Sequence, residues 1–149
     1  MTRQLFALLA LTGGALIAAQ APINARLRVA LDSPVGSALV SFVVGTVLLL
    51  AATLVVGDGP AVARGLGDGP WWAYLGGACG AIFVFSTLFA SPRIGVTTTF
   101  VAVILGQVVM AALIDRFGWL GARQIPLSAE RLVAIGLLGV SVVLLARGS

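Results

Sequence analysis

The chain has no histidine, no lysine, one cysteine, and only 9% charged residues in a length of 149. Each shortage excludes something. Without histidine, the commonest general base and metal ligand is missing. Cys79 has no second cysteine to bridge with and no evident base, so neither a disulfide framework nor a thiol nucleophile is indicated. The five carboxylates, Asp32, Asp58, Asp68, Asp115 and Glu130, do not pair, and no cluster has metal-ligand spacing. No glycine-rich motif has the strand-to-helix setting of a nucleotide site. An enzyme is therefore not expected, nor any cofactor, nor metal or heme transport through side-chain ligands. All nine basic residues are arginines, set singly near the ends of apolar runs, whereas nucleic-acid binding needs a clustered basic patch.

What is abundant is apolar. The chain is 60% hydrophobic with a mean hydropathy of +1.12, while a soluble domain carries about 25% charged residues. This composition predicts an all-α integral membrane protein whose main partner is the lipid bilayer. A spanning helix needs about 20 mostly apolar residues, and five stretches qualify: about 4–25, 35–56, 71–90, 95–114 and 129–146. The first run continues toward Leu31 and reads as a retained helix, since no small-residue cleavage site stands apart from it. Ser33 can cap the second helix and Pro34 suits its first turn. The loop GDGPAVARGLGDGP is too rich in Gly, Pro and Asp to stay in lipid. Ser91-Pro92-Arg93 predicts a tight break after the third span, and Ser128 a cap for the fifth. Residues 1–149 read as a single five-helix transmembrane domain.

Small residues recur at helical spacing: Gly76 and Gly80, then Ser37, Ser41 and Gly45, then Gly136 and Gly139. Such rows let helices approach closely in lipid, and packing within the bundle is the first expectation for each.

The stretch GGALIAAQAPINARLRVALD departs from an ordinary spanning helix. Gln20 and Asn24 are four residues apart and share a helix face, which Arg28 extends by one turn. Pro22 lies between them and predicts a kinked or loosened turn. Polar side chains at membrane depth face protein or a wet cavity. The two amides can donate and accept hydrogen bonds, so they suit a neutral or zwitterionic solute, or else bridge helices. Gln107, in the middle of the fourth span, is a further candidate for solute contact. Thr97, Thr98 and Thr99 rank below it with Ser86 and Thr87, because such hydroxyls also bond their own helix backbone. Trp71 is a candidate wall of the site, though it and Trp72 also fit an aromatic belt at the headgroup level. No carboxylate lies inside a span, so classical proton exchange through an intramembrane acid is not expected, and Asp115, at the end of the fourth span, would be the boundary alternative.

With five spans the termini lie on opposite sides. One side then holds Arg3, Arg64, Arg116, Arg123 and Arg131, and the other holds Arg26, Arg28, Arg93 and Arg147. Orientation follows the Lys and Arg bias of the loops, and five against four is almost none.

QAPINARLR in the first helix, SALVSFVVGTVLLL in the second and SPRIGVTTTFVAVILGQVVMAALIDRFGWLG in the fourth together resemble the YdcZ-type branch of the drug/metabolite transporter superfamily. The fourth-helix stretch, with its Gly-Gln pair and its I-D-x-F-G exit, is the most specific part. The resemblance implies a small transporter of the bacterial inner membrane. Larger members carry ten helices as two inverted five-helix repeats, and this chain resembles one such repeat. Unlike the small multidrug exporters of the superfamily, its first helix has Gln20 and Asn24 and no glutamate, which argues against proton-coupled export of cationic drugs.

The expectation is a small-molecule transporter working by alternating access as an antiparallel homodimer, or paired with a homologous subunit, with Gln20, Asn24 and Gln107 on the solute. The competing expectation is a non-transport structural or assembly subunit, whose polar face only locks helices together.

Overall fold

A computed structural model describes residues 3–148. The described residues form six α-helices and two short 3-10 turns, with no strand. In chain order these are α1 (Arg3–Leu31), α2 (Pro34–Val56), α3 (Gly59–Gly65), a 3-10 turn at Trp71–Tyr74, α4 (Leu75–Ile94), α5 (Val96–Phe117), a 3-10 turn at Trp119–Gly121, and α6 (Ala129–Arg147). Five segments are long and apolar enough to cross a membrane: Gln4–Leu31, Pro34–Val56, Trp71–Ile94, Val96–Phe117 and Ala129–Arg147.

The chain divides into two compact units, the first ending at Phe89 and the second beginning at Ala90. In the first, α1 and α2 form an antiparallel hairpin. Its turn is closed by local chemistry. Asp32 sits in the left-handed region (φ 48°), a conformation that Asp tolerates better than most side chains, and Ser33 N–H reaches back to the Arg28 carbonyl. Ser33 then caps α2, its Oγ accepting from Gly36 N–H at 2.9 Å, with Pro34 in the first turn. Gly57 (φ 82°) ends α2, and its N–H bonds Thr53 and Leu54 carbonyls. The loop beyond it is not all irregular, because α3 occupies its middle.

The second unit is built on the α5–α6 hairpin. Helix α5 runs past Asp115 and Arg116 to Phe117, and the returning segment satisfies its last carbonyls. Ile125 N–H bonds the Asp115 carbonyl at 2.7 Å, and Gln124 Nε2 bonds the Arg116 carbonyl at 3.1 Å. Ser128 caps α6 through Arg131 N–H at 3.4 Å.

One proline behaves differently from expectation. α1 continues as helix through Pro22, and α4 runs through Pro92 to Ile94, where the sequence predicts a break. Each proline costs one backbone hydrogen bond, but Pro92 sits in the last turn, where little helix remains to be disrupted. The break after the third span falls instead at Gly95 (φ 81°, ψ 153°), a conformation essentially reserved for glycine.

The burial pattern is the reverse of a soluble protein. Of the described residues that are buried, three are apolar (Ala21, Val84 and Leu88) and six are polar (Asn24, Ser37, Thr87, Ser91, Thr98 and Thr99). Apolar side chains cover the outside: Leu48, Leu49 and Leu50 are consecutive and all exposed, and Val55 is 87% exposed. Only lipid or another apolar protein surface tolerates this.

The small-residue rows divide. Ser37 and Ser41 face α1 through hydrogen bonds, and Gly80 lies against Phe42. A methyl group added at Gly45, Gly76, Gly136 or Gly139 would meet no atom of its own unit within 4 Å, so packing within each unit does not account for these glycines.

Candidate functional site

Helix periodicity places Gln20 and Asn24 on one face of α1, and in the hairpin that face meets α2. The facing residues of α2 are Ser37 and Ser41, themselves four apart. Gln20 Nε2 donates to Ser41 Oγ at 3.0 Å, and Asn24 Nδ2 donates to the same oxygen at 3.4 Å. Ser37 Oγ donates to the backbone carbonyl of Asn24 at 2.7 Å. Asn24 is 4% exposed, Ser37 fully buried, and Gln20 half-buried. The amides are not bonded to one another.

The chemistry of this cluster follows from counting valences. Two amides present four polar ends, and one hydroxyl takes only one of them from each. Rotating either amide exchanges its nitrogen for its oxygen without changing that count. Each amide therefore keeps one polar end available, and neither free end is hydrogen-bonded among the described residues.

One turn beyond Asn24, the Arg28 guanidinium lies 5.0 Å from the centroid of the Phe89 ring on α4. An aromatic face stabilises a cation away from water, so Arg28 is held on the polar side of α1. Phe89 also stacks at a tilt on Phe85, with centroids 4.7 Å apart.

Of the remaining candidates, Trp71, Ser86 and Thr87 belong to the first unit and Thr97, Thr98, Thr99 and Gln107 to the second. Gln107 is exposed on α5 and makes no hydrogen bond among the described residues. Thr98 and Thr99 are buried, and Thr99 Oγ1 bonds the carbonyl of Gly95 in its own helix turn at 2.8 Å. Thr87 does the same toward Phe83 and Val84, while Thr97 and Ser86 are exposed. Trp71 is 76% exposed in the 3-10 turn that opens the third span, away from the amide pair in sequence and in environment. Asp115 is bound to Arg131 at 2.9 Å, which ties the end of α5 to the start of α6.

Grooves mark the surfaces of the units, and three of them can be described. An apolar one of about 530 Å³ lies between α2 and α4, lined by Val35, Leu39, Phe42, Ile82 and Phe85 among others. One of similar volume joins Arg93, Thr97 and Thr98 to Leu144 and Leu145 of α6. A smaller one of about 170 Å³ sits beneath the Asp115–Arg131 pair. None of the three is lined by Gln20, Asn24 or Gln107.

Sequence reasoning passed over the hydroxyl partners. Ser37 and Ser41 were visible only as small residues in a row, although their four-residue spacing matches that of Gln20 and Asn24. Two polar pairs of equal spacing on consecutive helices were the available signal. Nothing in the sequence marked Phe89 as the partner of Arg28.

Among known proteins, no curated protein and no solved structure matches the chain. One family model does, over residues 5–144, and its description is "Putative inner membrane exporter, YdcZ". That match covers nearly all of the five-span pattern, and the exporter family it names is one of transporters rather than enzymes. The chain belongs to the YdcZ family of the DMT group and is a multi-pass inner-membrane protein.

Proposed function

We propose that the chain is one half of an alternating-access exporter for a small polar or amphipathic metabolite, and that it works as an antiparallel pair of five-helix domains. The solute would meet the Gln20–Asn24 face. The observation that carries this reading is the shared anchor: one hydroxyl, Ser41, holds both amides while each keeps a free polar end at membrane depth. A preorganised amide pair can donate to or accept from a solute without first reordering its own side chains. Thr98 and Thr99 would line the path at most secondarily, because Thr99 is already bonded to its own helix. Trp71 would serve as an interface anchor.

An odd number of spans supports the pairing. Two copies reproduce an inverted-repeat transporter only if one is flipped. The near-equal arginine count on the two sides permits both insertions.

The second reading is a non-transport subunit, and the same Ser41 bonds favour it, since they clasp α1 to α2. A ligand screen separates the two. Purified protein would be heated against panels of metabolites, amines and nucleosides. A binder at a hundred times its dissociation constant stabilises the fold by about 2.7 kcal/mol. Transport predicts a ligand that raises the melting temperature of the native chain and fails to do so for Gln20→Ala and Asn24→Ala. A ligand shift that survives both substitutions, or no shift from any class, favours the subunit.

A further inference from the structure

Arg28 is a half-buried cation held by a ring, with no carboxylate on it among the described residues. It follows Asn24 by one turn of α1, as Asn24 follows Gln20, so the three share a face. The Phe89 ring lies 5.0 Å from the guanidinium, and all four residues belong to the first unit. A ring steadies a cation but does not neutralise it. Of the five Asp and Glu residues, only Asp32 lies at this end of α1. It is exposed, follows the helix end, and makes no ion pair among the described residues. The second unit has no carboxylate side chain to offer here. Its Asp115 and Glu130 lie at the end of the fourth span and the start of the fifth. With five spans, that is the opposite face of the membrane from Arg28, and Asp115 is already paired with Arg131. The charge balance agrees. The face of Arg28 carries four arginines to one carboxylate, and the other face five to four. Anchoring at the headgroups does not account for Arg28, because Arg26 meets that need. Arg26 is exposed and sits about 200° around the helix from Arg28.

We infer that the solute carries an anionic group, a carboxylate or a phosphate, which binds the Arg28 guanidinium while the Gln20 and Asn24 amides take its polar remainder. The inference rests on the solute role proposed above for the amide face and adds the charge and length of the solute. A guanidinium presents paired N–H donors in one plane, matched to two oxygens of a carboxylate or phosphate. A cation–π contact consumes none of those donors. At about 1.5 Å of rise per residue, Arg28 lies about 6 Å along the axis from Asn24 and about 12 Å from Gln20. A solute reaching from the arginine to the amides is about that long, the size of an amino-acid derivative or a short phosphate ester.

The test is ligand stabilisation of the purified chain in a non-ionic, phosphate-free detergent, with probes that differ in charge alone. N-acetylated amino acids would be set against their amides, and glycerol phosphate against glycerol. An anion should raise the melting temperature where its uncharged counterpart does not. Arg28→Gln should weaken its binding at least about tenfold, as for a lost pair of charge-assisted hydrogen bonds. Arg28→Lys keeps the charge without the fork and should recover part of that loss. Gln20→Ala and Asn24→Ala should weaken the same anion, and Arg26→Gln should not. An uncharged ligand that needs both amides and binds Arg28→Gln as tightly as the native chain would leave the amide site standing and overturn its anionic solute. Failure of every anion to bind would overturn the inference too. Stabilisation by phosphatidylglycerol, lost in Arg28→Gln and matched by no soluble anion, would give the arginine to a lipid headgroup and overturn it. Where Arg28→Gln does not fold, Arg28→Lys decides, and an unchanged affinity for the anion overturns the inference.

Discussion

At the scale of single residues, the amide cluster is where the proposed solute role can be separated from a packing role. Ser37 bonds the backbone carbonyl of Asn24, so that bond survives when the Asn24 side chain is removed. The Asn24 and Gln20 side chains each contribute one hydrogen bond to Ser41, worth about 0.6 kcal/mol on average for such contacts in membranes. Asn24→Ala and Gln20→Ala should therefore insert and assemble at native levels, with transport of the solute reduced at least tenfold. Quantifying membrane-inserted protein alongside transport checks this. Loss of assembled protein in step with activity would mean that the pair is packing glue. This cluster was half legible in the sequence. The shared face of Gln20, Asn24 and Arg28 follows from helical spacing, whatever the helix packs against. Their partners depend on how α1 turns about its own axis against α2, and spacing does not encode that rotation.

Among the helices, what decides is how each one ends. Gly95 separates α4 from α5 with a φ of 81° and a ψ of 153°, where any side chain is strained by about 1–3 kcal/mol. Gly95→Ala should lower thermal stability in detergent by that amount, whereas Gly45→Ala, in a helix interior with open space around it, should not lower it at all. Thermal unfolding of the two variants side by side makes the comparison. The α5–α6 hairpin leads to a second expectation. The Asp115–Arg131 pair is partly exposed, 32% and 40% for its two side chains, and a pair of that kind is worth about 0–1 kcal/mol. Asp115→Asn should cost no more than that and leave transport and its dependence on any ion gradient unchanged. Abolished transport with the protein intact would make Asp115 the coupling group. Helix boundaries were legible where chemistry is local, as at the Ser33 and Ser128 caps. They were misread at Pro92, because a proline in a last turn breaks almost nothing, and the break belongs to the glycine that follows the helix.

For the whole molecule, the prediction concerns orientation. Single cysteines at Asp68→Cys, in the exposed segment between α2 and α4, and at Gly148→Cys, after α6, would be placed in a Cys79→Ala chain. Each should react with a membrane-impermeant thiol reagent from both faces of the membrane in a population of identical chains. The arginine balance of five against four motivates this. Strictly one-sided labelling at both positions would sink the homodimer and leave a pairing with a different, oppositely inserted chain.

Composition determined that this is a membrane protein, and the lengths of its apolar runs that it has five spans. The hydrophobic requirement for crossing lipid is a sum over residues, and sums do not depend on packing. Periodicity determined which residues share a face, because a helix repeats every 3.6 residues in any environment. What only the tertiary structure decided is what each face meets. It set Ser41 beneath both amides and Phe89 beneath Arg28. These are matters of rotation and contact between helices. In lipid they turn on close packing and on a few hydrogen bonds, with no apolar-in, polar-out pattern to announce them along the chain.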